Sequence, residues 1–126
     1  MSNAPVKKIL IVDDDENIHD IIKLIFEEER YHIKGILDAD DFQLEEAITD
    51  FLPDIILLDI LIGKHDGRDI CNRLKFDPKT ASVPVILLSA VNMENLNCSP
   101  DDTIEKPFDI ADLRQKIKIL LETKTV

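Results

Sequence analysis

Three short apolar runs, Ile9-Leu10-Ile11-Val12, Ile55-Ile56-Leu57-Leu58 and Val85-Ile86-Leu87-Leu88, divide the chain, and none alternates with polar residues. A strand half open to water alternates, whereas one covered on both faces by helices does not. The three runs therefore predict central strands of a parallel sheet. Residues 33–37 predict a weaker strand and Thr103-Ile104-Glu105 a short, edge-like one. Between the strands the period changes. Ile18, Ile21, Ile22, Ile25 and Phe26 form a stripe at helical spacing, and Ile110, Leu113, Ile117, Leu120 and Leu121 form another. Residues 42–51 and 67–76 predict shorter helices that turn Ala47, Ile48, Ile70, Cys71 and Leu74 inward, while Pro53, Pro84 and Pro107 mark loops or element starts. Strand and helix thus alternate five times, which predicts an α/β architecture: a (βα)5 doubly wound, five-stranded parallel sheet with helices on both faces.

Composition narrows the setting. The 126 residues make one domain, 1–126, with its core over about 7–121. A chain of this size buries roughly two-thirds of its unfolded surface, so it needs neither disulfide nor structural metal to fold. No apolar run is long enough to cross a bilayer, and no signal peptide opens the chain, so a cytoplasmic protein without membrane contact is expected. The formal net charge of −11 argues against direct nucleic-acid binding, which needs Lys and Arg against phosphates. Cys71 and Cys98 lack any ligand spacing, so Cys71 is expected in the core and Cys98 half exposed in a loop. His19 and His32 are expected at the surface, and His65 exposed in a loop near the strand ends.

The polar signals with chemical content all fall at the carboxyl ends of predicted strands. Asp13-Asp14-Asp15 ends the first, Asp59 the third, Ser89-Ala90 the fourth and Lys106-Pro107 the fifth. In a parallel sheet these ends share one edge, where open α/β folds place their sites. Carboxylates packed together repel, and sharing a proton or binding a hard cation relieves them. Mg²⁺ suits a site of few protein oxygens and several waters. An Asp carboxylate can act as a nucleophile and form an aspartyl phosphate, with a Lys and a Ser hydroxyl steadying the transferred group. Each piece alone has an ordinary explanation: Asp15, for instance, reads equally well as a helix N-cap. Their joint order, each at a strand end, carries the signal.

At these residues the sequence resembles the response-regulator receiver family of two-component signalling, over about residues 7–121. The matching stretches are 9–15 (ILIVDDD), 53–59 (PDIILLD), Asp66-Gly67, 83–90 (VPVILLSA) and 105–108 (EKPF). The resemblance implies a flavodoxin-like strand order 2-1-3-4-5. It implies Asp59 as phosphoacceptor, Mg²⁺ as cofactor, Asp14 as a direct ligand, Asp13 as a ligand through water, and the backbone carbonyl of Leu61 as a further ligand. Ser89 takes the place of the family's Thr/Ser that moves toward the phosphoryl group. Lys106 matches the active-site lysine, followed by a cis peptide at Pro107. The implied phosphodonor is a sensor histidine kinase or a histidine phosphotransfer protein. The implied output is an effector domain or downstream protein outside this chain. A domain of this kind catalyses only its own phosphorylation and dephosphorylation.

Departures from the family pattern carry their own expectations. Gly63 stands where the loop after Asp59 usually has proline, which predicts a more mobile loop. Thr103 replaces the switching Tyr or Phe. The segment 91–102, with Pro100 and three Asn, is short and predicts a shortened or irregular fourth helix, and an output that does not use the common fourth-helix route. Leu61 and Val91 flank the acceptor with side chains that cannot hold a hydrolytic water. The rival reading is a haloacid-dehalogenase-type phosphatase, which also uses a nucleophilic Asp and Mg²⁺. That chemistry needs a second Asp two residues after the nucleophile, and this chain has Leu61 there. A flavodoxin-like nucleotide or flavin carrier would need a glycine-rich phosphate loop, and the chain holds 3 Gly.

Overall fold

A computed structural model describes residues 6–89 and 98–123. In chain order the elements are β1 (Lys7–Val12), α1 (Glu16–Ile25), β2 (Tyr31–Ile36), α2 (Asp41–Phe51), β3 (Ile55–Asp59), β4 (Leu61–Ile62), β5 (His65–Asp66), α3 (Gly67–Phe76), β6 (Val85–Ser89), β7 (Asp102–Glu105) and α4 (Ile110–Thr123). The five longer strands pair in parallel in the order β2-β1-β3-β6-β7. This is the expected 2-1-3-4-5 order once the small strands β4 and β5 are set aside. Those two form an antiparallel hairpin directly after β3, which the hydrophobic pattern did not foretell, because two-residue strands leave no period to read.

The non-alternating runs are buried on both sides, as expected. Successive residues point to opposite faces, so each strand feeds two cores. Leu10, Val12, Ile56, Leu58, Val85 and Leu87 pack against Leu44 and Ala47 of α2 and Ile70, Cys71 and Leu74 of α3. Ile9, Ile11, Ile55, Leu57, Ile86 and Leu88 pack on the other face against Ile22 of α1, Phe26, and Leu113, Ile117 and Leu121 of α4. The two layers of helices are what make the sheet doubly wound.

Acidic residues start the helices. Asp15, Asp40 and Asp66 are N-caps whose carboxylates each accept a backbone N–H of the first turn at 2.9 Å. Asp109 does the same for α4 through Ala111 and Asp112. A negative side chain there satisfies orphan amides and complements the helix dipole. Part of the −11 net charge is thereby structural. The predicted short fourth helix falls largely at residues 90–97, outside the described residues; 98–101 are non-helical and lead into β7. Among the described residues no helix is long and apolar enough to cross a membrane.

Candidate functional site

Strand register alone brings the polar strand ends together. Val12 pairs with Leu58, so Asp13 and Asp59 follow side by side. Asp59 pairs with Leu88, and Ser89 is the next residue of β6. Ser89 pairs with Glu105, and Lys106 is the next residue beyond β7, its N–H donating to the Ser89 carbonyl at 2.8 Å. The peptide between Lys106 and Pro107 is cis. Asp13 is fully buried, Ser89 is 2% exposed and Asp59 8%. Asp14 lies open to solvent at the rim.

One cation reaches across the edge. Lys106 Nζ donates to Asp13 Oδ2 at 2.7 Å and stands 3.2 Å from Asp59 Oδ2. Burial raises the Asp59 carboxyl above the ordinary range and Asp13 adds to this. Lys106, by charge and hydrogen bond, pulls it back only in part. For Lys106, burial works against the ammonium, but the hydrogen bond and charge of Asp13, then Asp59, outweigh it and hold the group above its usual value. Three carboxylates against one ammonium leave the pocket short of positive charge.

Carboxylate oxygens of Asp13, Asp14 and Asp59 lie within 4.8 Å of one another, close enough to share an ion. An all-oxygen donor set with one solvent-open member fits a hard divalent cation that keeps several waters. Asp15, in contrast, belongs to α1 as its cap and not to this cluster.

The loop after Asp59 is a short hairpin in which Leu61 and Ile62 pair with Asp66 and His65, and Gly63 makes the turn at φ 57°. Its N–H donates to Asp14 Oδ2 at 3.0 Å. A proline could supply neither that φ nor that donor, so glycine here ties the loop to the acidic pocket. The Leu61 N–H makes a long 3.4 Å contact to Asp59 Oδ1, and the Leu61 side chain is 56% exposed at the rim. Gly67 lies against β3: a Cβ there would stand 2.1 Å from the Asp59 carbonyl oxygen.

The expectation for His19 is corrected. It is 6% exposed, and its Nε2 lies 2.7 Å from the Asp13 backbone oxygen. The signal was present, because residues 19, 22 and 26 share one helical stripe. Ile22 and Phe26 are buried on it, while Ile21 is 41% exposed. His32 is exposed as expected; His65 is partly covered, 3.6 Å from Asp38. Val91 lies outside the described residues.

A family profile described as response regulator receiver domain matches residues 9–118. The DNA-binding dual master transcriptional regulator RpaA of Synechocystis sp. is 31% identical over 119 residues, 90% of this chain and 48% of that protein. The phosphate regulon transcriptional regulatory protein PhoB of Rhizobium meliloti is 29% identical, again over 90% of this chain and 52% of the relative. The chain thus spans about half the length of the curated relatives it matches. Among solved structures, the signal receiver domain of a signal transduction histidine kinase from Syntrophus aciditrophicus superposes with a TM-score of 0.77 at 30% identity, covering 93% of this chain and 91% of that one. These matches leave the phosphatase alternative without support. With its sheet order, its acidic strand ends and its sequence agreeing, the chain belongs to the response regulator receiver family of two-component signalling.

Proposed function

We propose that Asp59 is the phosphoacceptor of this receiver domain and that Asp13, Asp14, Asp59 and the Leu61 carbonyl hold Mg²⁺ beside it. The observation that carries the reading is the Lys106 ammonium, set between Asp13 Oδ2 at 2.7 Å and Asp59 Oδ2 at 3.2 Å. A carboxylate used only for folding would have no need of two like-charged neighbours. When bound, Mg²⁺ supplies positive charge against the phosphoryl oxygens.

In the transfer, an oxygen of the Asp59 carboxylate forms a bond to phosphorus as the P–N bond of a phosphohistidine breaks, and the departing imidazole keeps the electron pair and gains a proton. Lys106 steadies the equatorial oxygens as a point charge. The Ser89 hydroxyl donates to one of them, and buried Asp13 holds Lys106 in place. The donor is a sensor histidine kinase or a histidine phosphotransfer protein, and the output passes to an effector domain or a downstream protein. The domain turns over no separate substrate: its chemistry begins and ends at Asp59. The −11 charge supports an output that does not run through nucleic-acid contact by this domain.

Incubation with Mg²⁺ and acetyl phosphate is expected to add one phosphoryl group by mass, and Asp59→Asn to abolish the addition. Undiminished labelling of that variant would place the acceptor elsewhere.

A further inference from the structure

Asp13 is held at four atoms. Its N–H donates to the Ile36 carbonyl at 3.2 Å. Its Oδ1 accepts the Asp15 N–H at 2.9 Å, and its Oδ2 accepts Lys106 Nζ at 2.7 Å. The fourth atom is the peptide oxygen, and there the partner is a side chain, His19, at 2.7 Å. A carbonyl oxygen carries no proton, so Nε2 must be the donor, which fixes the proton of the ring on that nitrogen.

The Asp13 carbonyl belongs to the peptide that leads into Asp14. Whatever sets the plane of that peptide sets the direction in which the Asp14 backbone leaves, and with it the aim of the Asp14 carboxylate. The other end of the ring rests on Gly35 of β2, the strand partner of Ile11. A Cβ on Gly35 would stand 2.1 Å from His19 Nδ1 and 2.6 Å from Cε1, so no side chain other than hydrogen leaves the ring where it is. Glycine inside a strand weakens it, and close approach of another group is a usual reason for finding one.

We propose that His19 is a positioning residue for the metal-binding carboxylates, acting through the Asp13 peptide oxygen, and that Gly35 supplies the space that lets it do so. The inference rests on the reading of Asp13, Asp14 and Asp59 as a Mg²⁺ site. His19 touches neither metal nor phosphoryl group. Partners one shell out from metal ligands typically contribute about 10–100-fold in affinity. Gly35 is the more telling position, because a side chain there would meet the His19 ring and none of the carboxylates.

The test is Mg²⁺ titration of the whole chain, followed by amide chemical shifts, with thermal unfolding in EDTA as a separate measurement. His19→Leu removes the donor, and the Mg²⁺ dissociation constant is expected to rise by about tenfold, the low end of that range. His19→Gln places an amide N–H near the Nε2 position and is expected to recover most of the affinity. Gly35→Ala is expected to weaken Mg²⁺ binding in the same direction, and it carries the test if His19→Leu does not fold. A purely structural histidine gives a different pattern: His19→Leu and Gly35→Ala melt lower in EDTA yet bind Mg²⁺ as the wild type does. That pattern overturns the proposal. A wild type that binds no Mg²⁺ overturns the metal site itself, and this inference with it, so the two failures are told apart by the first titration.

Discussion

The two ends of the sheet are furnished with the same residue type and use it in opposite ways. At the amino ends, Asp54 precedes β3 and clasps β1: its N–H donates to the Lys8 carbonyl at 2.8 Å and its carboxylate accepts the Lys8 N–H at 2.8 Å. Asp101 precedes β7 and clasps β6 in the same manner through Val85, at 2.9 and 2.7 Å, and its carboxylate also takes the Lys75 ammonium. These carboxylates face peptide donors, and Asp101 faces a cation as well. At the carboxyl ends Asp13, Asp14 and Asp59 face one another, and Lys106 answers only part of the charge. Asp54 and Asp101, each just before a strand, extend the ladder by one rung, whereas Asp13, Asp14 and Asp59 are gathered into one pocket short of positive charge.

The sharpest way to break that comparison is to remove one carboxylate from each end and read the sign. Asp101→Ala leaves the buried Val85 N–H without its acceptor, while the Lys75 ammonium keeps the Val83 carbonyl at 2.9 Å. The expected loss is about 2 kcal/mol, the scale of an unsatisfied buried donor. Asp59→Asn is expected to stabilise the metal-free protein at neutral pH. Burial, and then Asp13, raise the Asp59 carboxyl, so its proton is held more tightly in the folded state than in the unfolded one. Below the ordinary aspartate range both states are protonated and the two proteins should melt alike. As pH rises through the folded-state value the wild type loses stability that the asparagine variant keeps. Unfolding in EDTA across that pH range checks both the sign and the window. A wild type that gains on Asp59→Asn as pH rises would refute the account of this end.

Much of this was legible in the sequence, and the reasons for the rest are physical. Central strands announce themselves because burial on two faces forces unbroken apolar runs, and β1, β3 and β6 lie at the three runs read as such. That Asp13, Asp14, Asp59 and Lys106 converge was legible because parallel topology maps strand ends to one edge. What escaped depended on contacts between elements remote in sequence. His19 is buried because Gly35, 16 residues later on another strand, leaves room for the ring. Asp54 and Asp101 look like turn residues until register brings Lys8 and Val85 opposite them. Cys71 and Cys98, far apart in the chain, pack in one core. Burial chiefly, together with Cys98, pushes the Cys71 thiol up to about 11, which keeps it an inert core group.

The carboxyl end must also manage water, which the amino end has no cause to do. Leu61 stands at the rim, 56% exposed, two residues past Asp59, the proposed acceptor, and its side chain can neither donate nor accept a hydrogen bond. Hydrolysis of an aspartyl phosphate needs a water held in line with the P–O bond, and an apolar side chain gives it no anchor. Leu61→Asn is expected to speed loss of the phosphoryl group by roughly tenfold, since an untuned amide falls short of the 10²–10⁴ that a well-placed proton-handling group contributes. Decay of the labelled protein after removal of acetyl phosphate measures it. Equal or slower loss in the variant would show that the leucine only packs.

The smallest expected effect separates the strain of the acidic end from its chemistry. Gly63 holds φ 57°, a region that costs most L-residues about 1 kcal/mol or a little more, while its N–H supports Asp14 at 3.0 Å. A Cβ at this position meets nothing within 4 Å, so a substitution there is opposed by the backbone alone and not by packing. Alanine keeps the N–H and removes only the freedom of glycine. Asparagine keeps the N–H too and tolerates the left-handed region better. The expected order of stability is therefore Gly63, then Gly63→Asn, then Gly63→Ala, with the last step down from wild type about 1 kcal/mol. Mg²⁺ affinity should stay near the wild-type value in both, because the donor to Asp14 survives. Urea unfolding in EDTA gives the first quantity and Mg²⁺ titration the second. If affinity falls in step with stability, the loop acts on the ligands through its strain as well as through its hydrogen bond, and the separation drawn between them fails.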